Sequence, residues 1–211
     1  MKTDDLICVL AADSKSRWRV SNLLCVALLA AVPISVIGFF MEMGVRPDIA
    51  TAVHNPFFDL KFVVTISLAL SAVALSLHLS RPEATLRGVI LILAVPVCLL
   101  AGGIAVEMML PQKVAWLARL VGTNSRICLT AIPLLSMPFL AASLVALRHG
   151  APSRPALAGA FAGLLSAGLA ATLYASHCTD DSPLFVATWY TLATALVVAI
   201  GALAGSRVLR F

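Results

Sequence analysis

The sequence predicts an all-α integral membrane protein with six transmembrane helices, a short cytoplasmic N-terminal segment and a cytoplasmic C-terminus. Three observations carry that reading. Hydrophobic residues make up 61% of the 211 residues, charged residues only 12%, and mean hydropathy is +1.00, where a soluble domain is roughly 25% charged. Six runs contain no Asp, Glu, Lys or Arg: Val20–Met41, Phe62–Ser80, Gly88–Val106, Ile127–Leu147, Pro155–Ser176 and Ser182–Ser206. Each is close to the roughly 20 residues that cross the hydrocarbon core as helix. Lys and Arg are also unevenly distributed. Lys2, Lys15, Arg17, Arg19, Arg81, Arg87, Arg148, Arg154, Arg207 and Arg210 fall on the side of the termini, against Arg46, Lys61, Lys113, Arg119 and Arg126 on the other. The positive-inside rule therefore places both termini in the cytoplasm. This bias accounts for the net charge of +5, so no direct nucleic-acid partner is expected.

The chain divides into residues 1–19, a six-helix domain over 20–206 and a short tail, 207–211. Asp4, Asp5 and Asp13 stand where a signal peptide would be basic, so the first run is expected to stay as an anchor. In the N-terminal segment Thr3 suits an N-cap, with Asp4 and Asp5 in the first turn where the helix dipole favours acids. Leu6, Ile7, Val9 and Leu10 then recur at helical spacing. A helix of about ten residues is unstable alone in water, so this one either lies on the bilayer or folds into a partner's groove. Lys15–Arg19 reads as a membrane-edge anchor.

The first run carries Cys25 and Pro33, the third Pro96 and Cys98. Both cysteines have apolar neighbours and are expected to be small buried fillers. Between the third and fourth runs, Pro111 and Gly122 bracket an apolar face of Val114, Leu117, Leu120 and Val121. A short interfacial helix with Trp116 as a belt residue is expected there. Thr123-Asn124-Ser125 is expected to cap the fourth helix, which carries Cys128 in its first turn. The fifth run contains Gly159-x-x-x-Gly163 and the sixth Gly201-x-x-x-Gly205. Small residues four apart allow close helix approach, either within the bundle or in a homodimer.

The most polar connection of the second half is His177-Cys178-Thr179-Asp180-Asp181-Ser182, ending at Pro183, which can open a helix. No span carries a charge at its middle, so a proton-coupled pump is not expected. There is no nucleotide loop, no H-E-x-x-H and no C-x-x-C, and no enzyme activity is expected. The predicted topology sorts the five cysteines. Cys8 is cytoplasmic, Cys25 and Cys98 are in spans, and Cys128 and Cys178 share the outer side. These two are open to a structural disulfide, to unrelated roles, or to a redox- or metal-sensing pair. Transient heavy-metal binding there would draw on Cys128, Cys178, His177, Asp180 and Asp181; no resident cofactor is expected. A small thiol-based membrane oxidoreductase or metal-handling protein is the competing class.

The opening Met1-Lys2-Thr3-Asp4-Asp5-Leu6-Ile7, six spans, Cys128 ahead of Ile132-Pro133, and His177-Cys178-x-Asp180-Asp181-x-Pro183-x-Phe185 with Trp189-Tyr190 together resemble the NrsF family. These are bacterial inner-membrane anti-sigma factors, negative regulators of the extracytoplasmic-function (ECF) sigma factor called sigma F. The resemblance covers essentially the whole chain. It implies that the N-terminal segment, with Asp4, Asp5, Leu6, Ile7, Val9, Leu10 and Asp13, holds a sigma factor at the membrane. It further implies that Cys128 and Cys178 contribute to release under heavy-metal or oxidative stress.

Overall fold

The computed structural model describes residues 19–80, 88–111, 115–150 and 152–210. The expected partner-binding residues Asp4, Asp5, Leu6, Ile7, Val9, Leu10 and Asp13 lie outside the described residues. Among the described residues there is no strand, and six helices are long and apolar enough to cross a membrane. They are α1 Val20–Glu42, α2 Pro56–Leu79, α3 Ala94–Met109, α4 Ser125–Leu147, α5 Pro155–Ala175 and α6 Pro183–Val208.

Local chemistry sets the ends. Past α1, Gly44 adopts φ +69°, and the N–H groups of Met43 and Gly44 both return to Phe39 O. This left-handed closure satisfies the orphan carbonyl of the last turn. At the start of α2, Asn55 Oδ1 accepts from Phe57 N at 3.1 Å, Pro56 takes the first position and Asp59 lies in the first turn. Pro155 opens α5, and Pro183 opens α6 behind a Ser182 cap. The next turn of α6, Val186–Tyr190, is π-helical. α3 is entered through a 3₁₀ turn, Val89–Leu93.

Several helices run past the charge-free limits expected from sequence, and two of them carry buried charges. α2 begins at Pro56 rather than Phe62 and so contains Asp59 and Lys61, while α3 continues through Glu107 to Met109. Lys61 and Glu107 are each paired with an opposite charge, which offsets the cost of burying them.

α5 is the most enclosed helix and α3 the least. α5 packs against α6 above all, then α2 and α4; α1 packs on α4, and α3 on α2. The α5–α6 contact is made by the glycines. A Cβ placed on Gly205 would stand 2.6 Å from Gly159 Cα, and one on Gly163 would stand 2.7 Å from Val197 O. Both glycine motifs are thus occupied within the chain. At the α1–α4 seam the buried Ser35 Oγ donates to Leu135 O at 3.1 Å. Leu29, Ile37, Phe40, Leu70, Leu91, Leu134 and Leu203 face outward and exposed, an apolar girdle far larger than soluble proteins carry.

Cys25 and Cys98 are exposed on this girdle, which corrects their reading as buried fillers. Lipid is as apolar as a core, so apolar neighbours do not reveal which way a residue of a membrane helix faces. The short helix between α3 and α4 spans Trp116–Val121, with Trp116 exposed. It stops at Gly122, φ +58°, where a Cβ would collide with the Phe185 ring. Trp189 Nε1 donates to Leu120 O at 2.9 Å and ties the same helix to α6.

Candidate functional site

The loop between α5 and α6 gathers the polar chemistry of one end of the bundle. Its backbone leaves α5 with His177 and Cys178 N–H still bonded to Tyr174 O. From there the loop residues reach α1, α2, α3 and α4 between them. His177 Nδ1 donates to Gly44 O at 2.9 Å, and Ser176 O accepts from Arg46 N at 3.1 Å, both at the exit of α1. Cys178 O accepts from Lys61 Nζ at 2.9 Å and Arg46 Nη1 at 3.2 Å. Asp181 pairs with Lys61 at 2.6 Å and Arg46 at 2.9 Å, and Asn55 Nδ2 lies 3.4 Å from its Oδ2. Ser182 Oγ donates to Glu107 of α3, which also accepts from Arg119 Nη1 at 2.8 Å and Leu184 N at 3.3 Å.

Asp180 turns the other way. Its carboxylate accepts from Thr123 N at 3.0 Å and from Asn124 N at 2.8 Å. The first turn of α4 is therefore capped by a loop distant in sequence rather than by Thr123-Asn124-Ser125; Asn124, the N-cap residue, makes no side-chain cap bond. An anion suits that place, since the unpaired N–H groups and dipole of a helix start favour negative charge. Asn124 Nδ2 instead donates to Thr179 Oγ1 at 3.0 Å. One carboxylate thereby joins the loop bearing Cys178 to the helix bearing Cys128.

Two buried cations, Arg46 (5% side-chain exposure) and Lys61 (1%), meet the single carboxylate of Asp181. Arg46 is shared with Asp48 at 2.7 Å. That hydrogen bond is the main reason the Arg46 pKa is raised, and the guanidinium holds the Asp48 carboxyl below its ordinary value. Breaking a buried pair by removing one partner costs about 3–5 kcal/mol.

Cys128 and Cys178 are both free thiols, fully buried, in one apolar cluster with Phe39, Tyr174, Phe185 and Tyr190. The structure thus brings the two expected sensor residues together without a disulfide. The wall around them is aromatic. The Tyr174 and Tyr190 rings lie 5.7 Å apart, and Tyr174 OH donates to Asn124 O at 3.4 Å. The candidate metal ligands are dispersed: His177 is engaged with Gly44, Asp180 with the start of α4, and Asp181 with Arg46 and Lys61. Among the described residues no group of three or more His, Cys, Asp or Glu is placed to hold a metal ion.

Burial pushes the Cys178 thiol up from its ordinary value of 9.0, partly opposed by the Lys61 ammonium. The thiolate is the nucleophile, so this thiol is chemically quiet at neutral pH. The sign for stability follows. A thiol that ionises later in the fold than in the unfolded chain contributes fully below the ordinary thiol value, and its contribution falls as pH rises from there towards the folded value. With Cys178 as the only cysteine, its labelling rate with a thiolate-selective alkylating reagent is expected to keep climbing beyond about pH 10, where a free thiol has nearly levelled off. A levelling-off by about pH 10, measured by mass spectrometry, would contradict the assigned burial effect.

Sequence reasoning singled out Cys128, Cys178, His177, Asp180 and Asp181 but missed Arg46, Lys61, Asn55, Glu107 and Arg119 as members of the same site. Their signal was available as charges at helix ends in an otherwise uncharged chain. Comparison with known proteins assigns the arrangement to a family. Residues 10–211 match NrsF, described as negative regulator of sigma F. The chain is 37% identical over 215 residues to the anti-sigma-F factor NrsF of Caulobacter vibrioides (strain NA1000 / CB15N), with both chains fully covered. It is 33% identical, again over the full length of both, to the probable anti-sigma-F factor NrsF of Azospira oryzae. No solved structure matches. A family match over residues 10–211 and full-length relatives at 37% and 33% identity place this chain in the NrsF family of negative regulators of sigma F.

Proposed function

We propose that this protein is an anti-sigma factor of the bacterial inner membrane. It holds an ECF sigma factor on the cytoplasmic side through residues 1–19 and releases it when Cys128 and Cys178 react with heavy metals or oxidants on the outer side. The observation that most supports the reading is the loop around Cys178, which is bonded to the exit of α1, the start of α2, the end of α3 and the start of α4. A chemical change at a buried thiol in such a place disturbs several helices at once. Because α1 has 23 residues at about 1.5 Å rise each, its exit, where the Cys178 loop is bonded, lies about 35 Å from its first residue. Weakening the partner tenfold needs a coupling of only about 1.4 kcal/mol. Both termini are cytoplasmic in this reading, by the Lys and Arg bias, and the family role is regulatory rather than catalytic. Metal would bind the thiols transiently, after the loop opens.

The test is co-purification of the detergent-solubilised protein with cellular sigma factors. Wild type is expected to carry a sigma factor and lose it on cadmium or peroxide treatment, while Cys128→Ser/Cys178→Ser keeps it. A protein that captures no sigma factor from unstressed cells would defeat the proposal.

A further inference from the structure

We propose that Asp181, His177 and Arg46 form a latch between the Cys178 loop and α1, and that opening this latch is the step that moves α1 and lowers affinity at the N-terminal segment. This deepens the reading above and rests on it, since that reading makes α1 the carrier of the sigma-binding segment. Four bonds converge within three residues of the α1 exit. They are His177 Nδ1–H to Gly44 O at 2.9 Å, Arg46 N–H to Ser176 O at 3.1 Å, and Arg46 Nη1 to Cys178 O at 3.2 Å and to Asp181 at 2.9 Å. Gly44 closes the last turn of α1, so the bonds hold the helix end itself. All four are made to residues 176–181, the loop that Cys178 occupies.

The coupling is steric and electrostatic. Cys178 has no exposed surface, so any group added to its sulfur must displace the loop backbone. The carbonyl of the same residue is the shared acceptor of Arg46 and Lys61, and it moves with the sulfur. Asp181, three residues on, is the carboxylate both cations share. Displacing one peptide therefore disengages the Arg46 guanidinium from two of its three hydrogen-bond partners, Cys178 O and Asp181, and leaves Asp48. Elsewhere α1 leans on α4, with Ser35 bonded to Leu135 O, and contacts α5 only lightly. A packed helix of this kind responds by small shifts of about 1–2 Å.

The test has one arm without the partner and one with it. In protein carrying Cys8→Ser, Cys25→Ser, Cys98→Ser and Cys128→Ser, N-ethylmaleimide adds the Sγ–H of Cys178 across its double bond with nothing lost, and complete modification is confirmed by mass. Amide exchange at residues 43–46 is then expected to rise at least tenfold, and so is exchange in unmodified Asp181→Asn and His177→Ala. His177→Asn, whose side-chain N–H can replace Nδ1–H, is expected to restore protection. Protection at 43–46 that survives full modification and His177→Ala would overturn the latch; His177→Ala deletes one bond and decides the matter if Asp181→Asn fails to accumulate.

In the partner arm, His177→Ala is expected to release bound sigma factor without any reagent, even with Cys128 and Cys178 both replaced by Ser. If wild type releases on maleimide while His177→Ala, folded by its elution profile, holds the sigma factor normally and releases on reagent as wild type does, the latch is wrong and the thiol reading survives. If His177→Ala releases while wild type ignores the reagent, the latch stands and the thiol reading falls.

Discussion

Gly159→Leu is expected to abolish accumulation of the folded protein, whereas Gly38→Leu should leave it at the wild-type level. The contrast lies in what each new side chain meets. At Gly159 even a bare Cβ would sit 2.7 Å from Gly205 Cα and 3.0 Å from its N, with Gly201 O closer still. These are backbone atoms of α6 and cannot swing aside as a flexible side chain would. Insertion of a Leu must force α5 and α6 apart, and α5 is the helix on which α2, α4 and α6 all lean. Overpacking costs about 1–3 kcal/mol in well-packed cores and occasionally more; a backbone collision between two central helices belongs at or above the top of that range. Gly38, on α1, has no atom within 4 Å of the position a Cβ would take, so a Leu there points away from the bundle. Membrane abundance and elution in detergent give the comparison. Equal accumulation of the two variants would mean that the α5–α6 glycine contact is not made.

The second large effect is expected from the N-terminal segment. Leu6→Asp/Leu10→Asp should raise sigma-dependent transcription in unstressed cells to the stressed level, with unchanged amounts of the protein in the membrane. In the proposed binding helix both residues, four apart in sequence, would share one apolar face. Burying one Leu contributes about 1.5–3 kcal/mol, and a carboxylate carried into the same groove adds a desolvation cost. Loss of two anchors should thus weaken binding by about a hundredfold or more. Neither residue belongs to a described helix; the thiol cluster is expected to be unaffected, and the labelling rate of Cys178 serves as the control. Normal repression by the double variant at normal abundance would rule out this segment as the binding face.

The sequence makes the helices legible because long apolar runs between short charged joints admit few alternatives in a membrane. It makes the Cys178 loop legible for a related reason: polar residues are so scarce that a cluster of them stands out. Partnership is what remained hidden. A lone charge is costly in an apolar helix, so the sequence places Lys61 and Glu107 in the loops bordering the second and third spans; they lie inside α2 and α3 because Asp181 and Arg119 neutralise them. Asp180 capping α4 joins residues 56 apart in sequence, and no local capping rule could report it. Cys25 and Cys98 failed differently. Periodicity distinguishes inside from outside only where the outside is water, and along α1 and α3 every face is apolar.

The complete burial of Cys128 and Cys178 bears on time. A reagent can meet these sulfurs only during brief local openings, so when opening and closing are fast the rate of modification is the intrinsic rate scaled down by the small open population. In the proposed sensing role such a thiol would integrate exposure over time. At a given concentration a brief exposure would convert few molecules and leave the regulator silent, while a sustained one would convert the whole population. The packing of Phe185, Tyr174 and Tyr190 around the thiols would then set how long a stress must last before the cell commits to a response, and trimming one of those rings would shorten the memory without touching the chemistry.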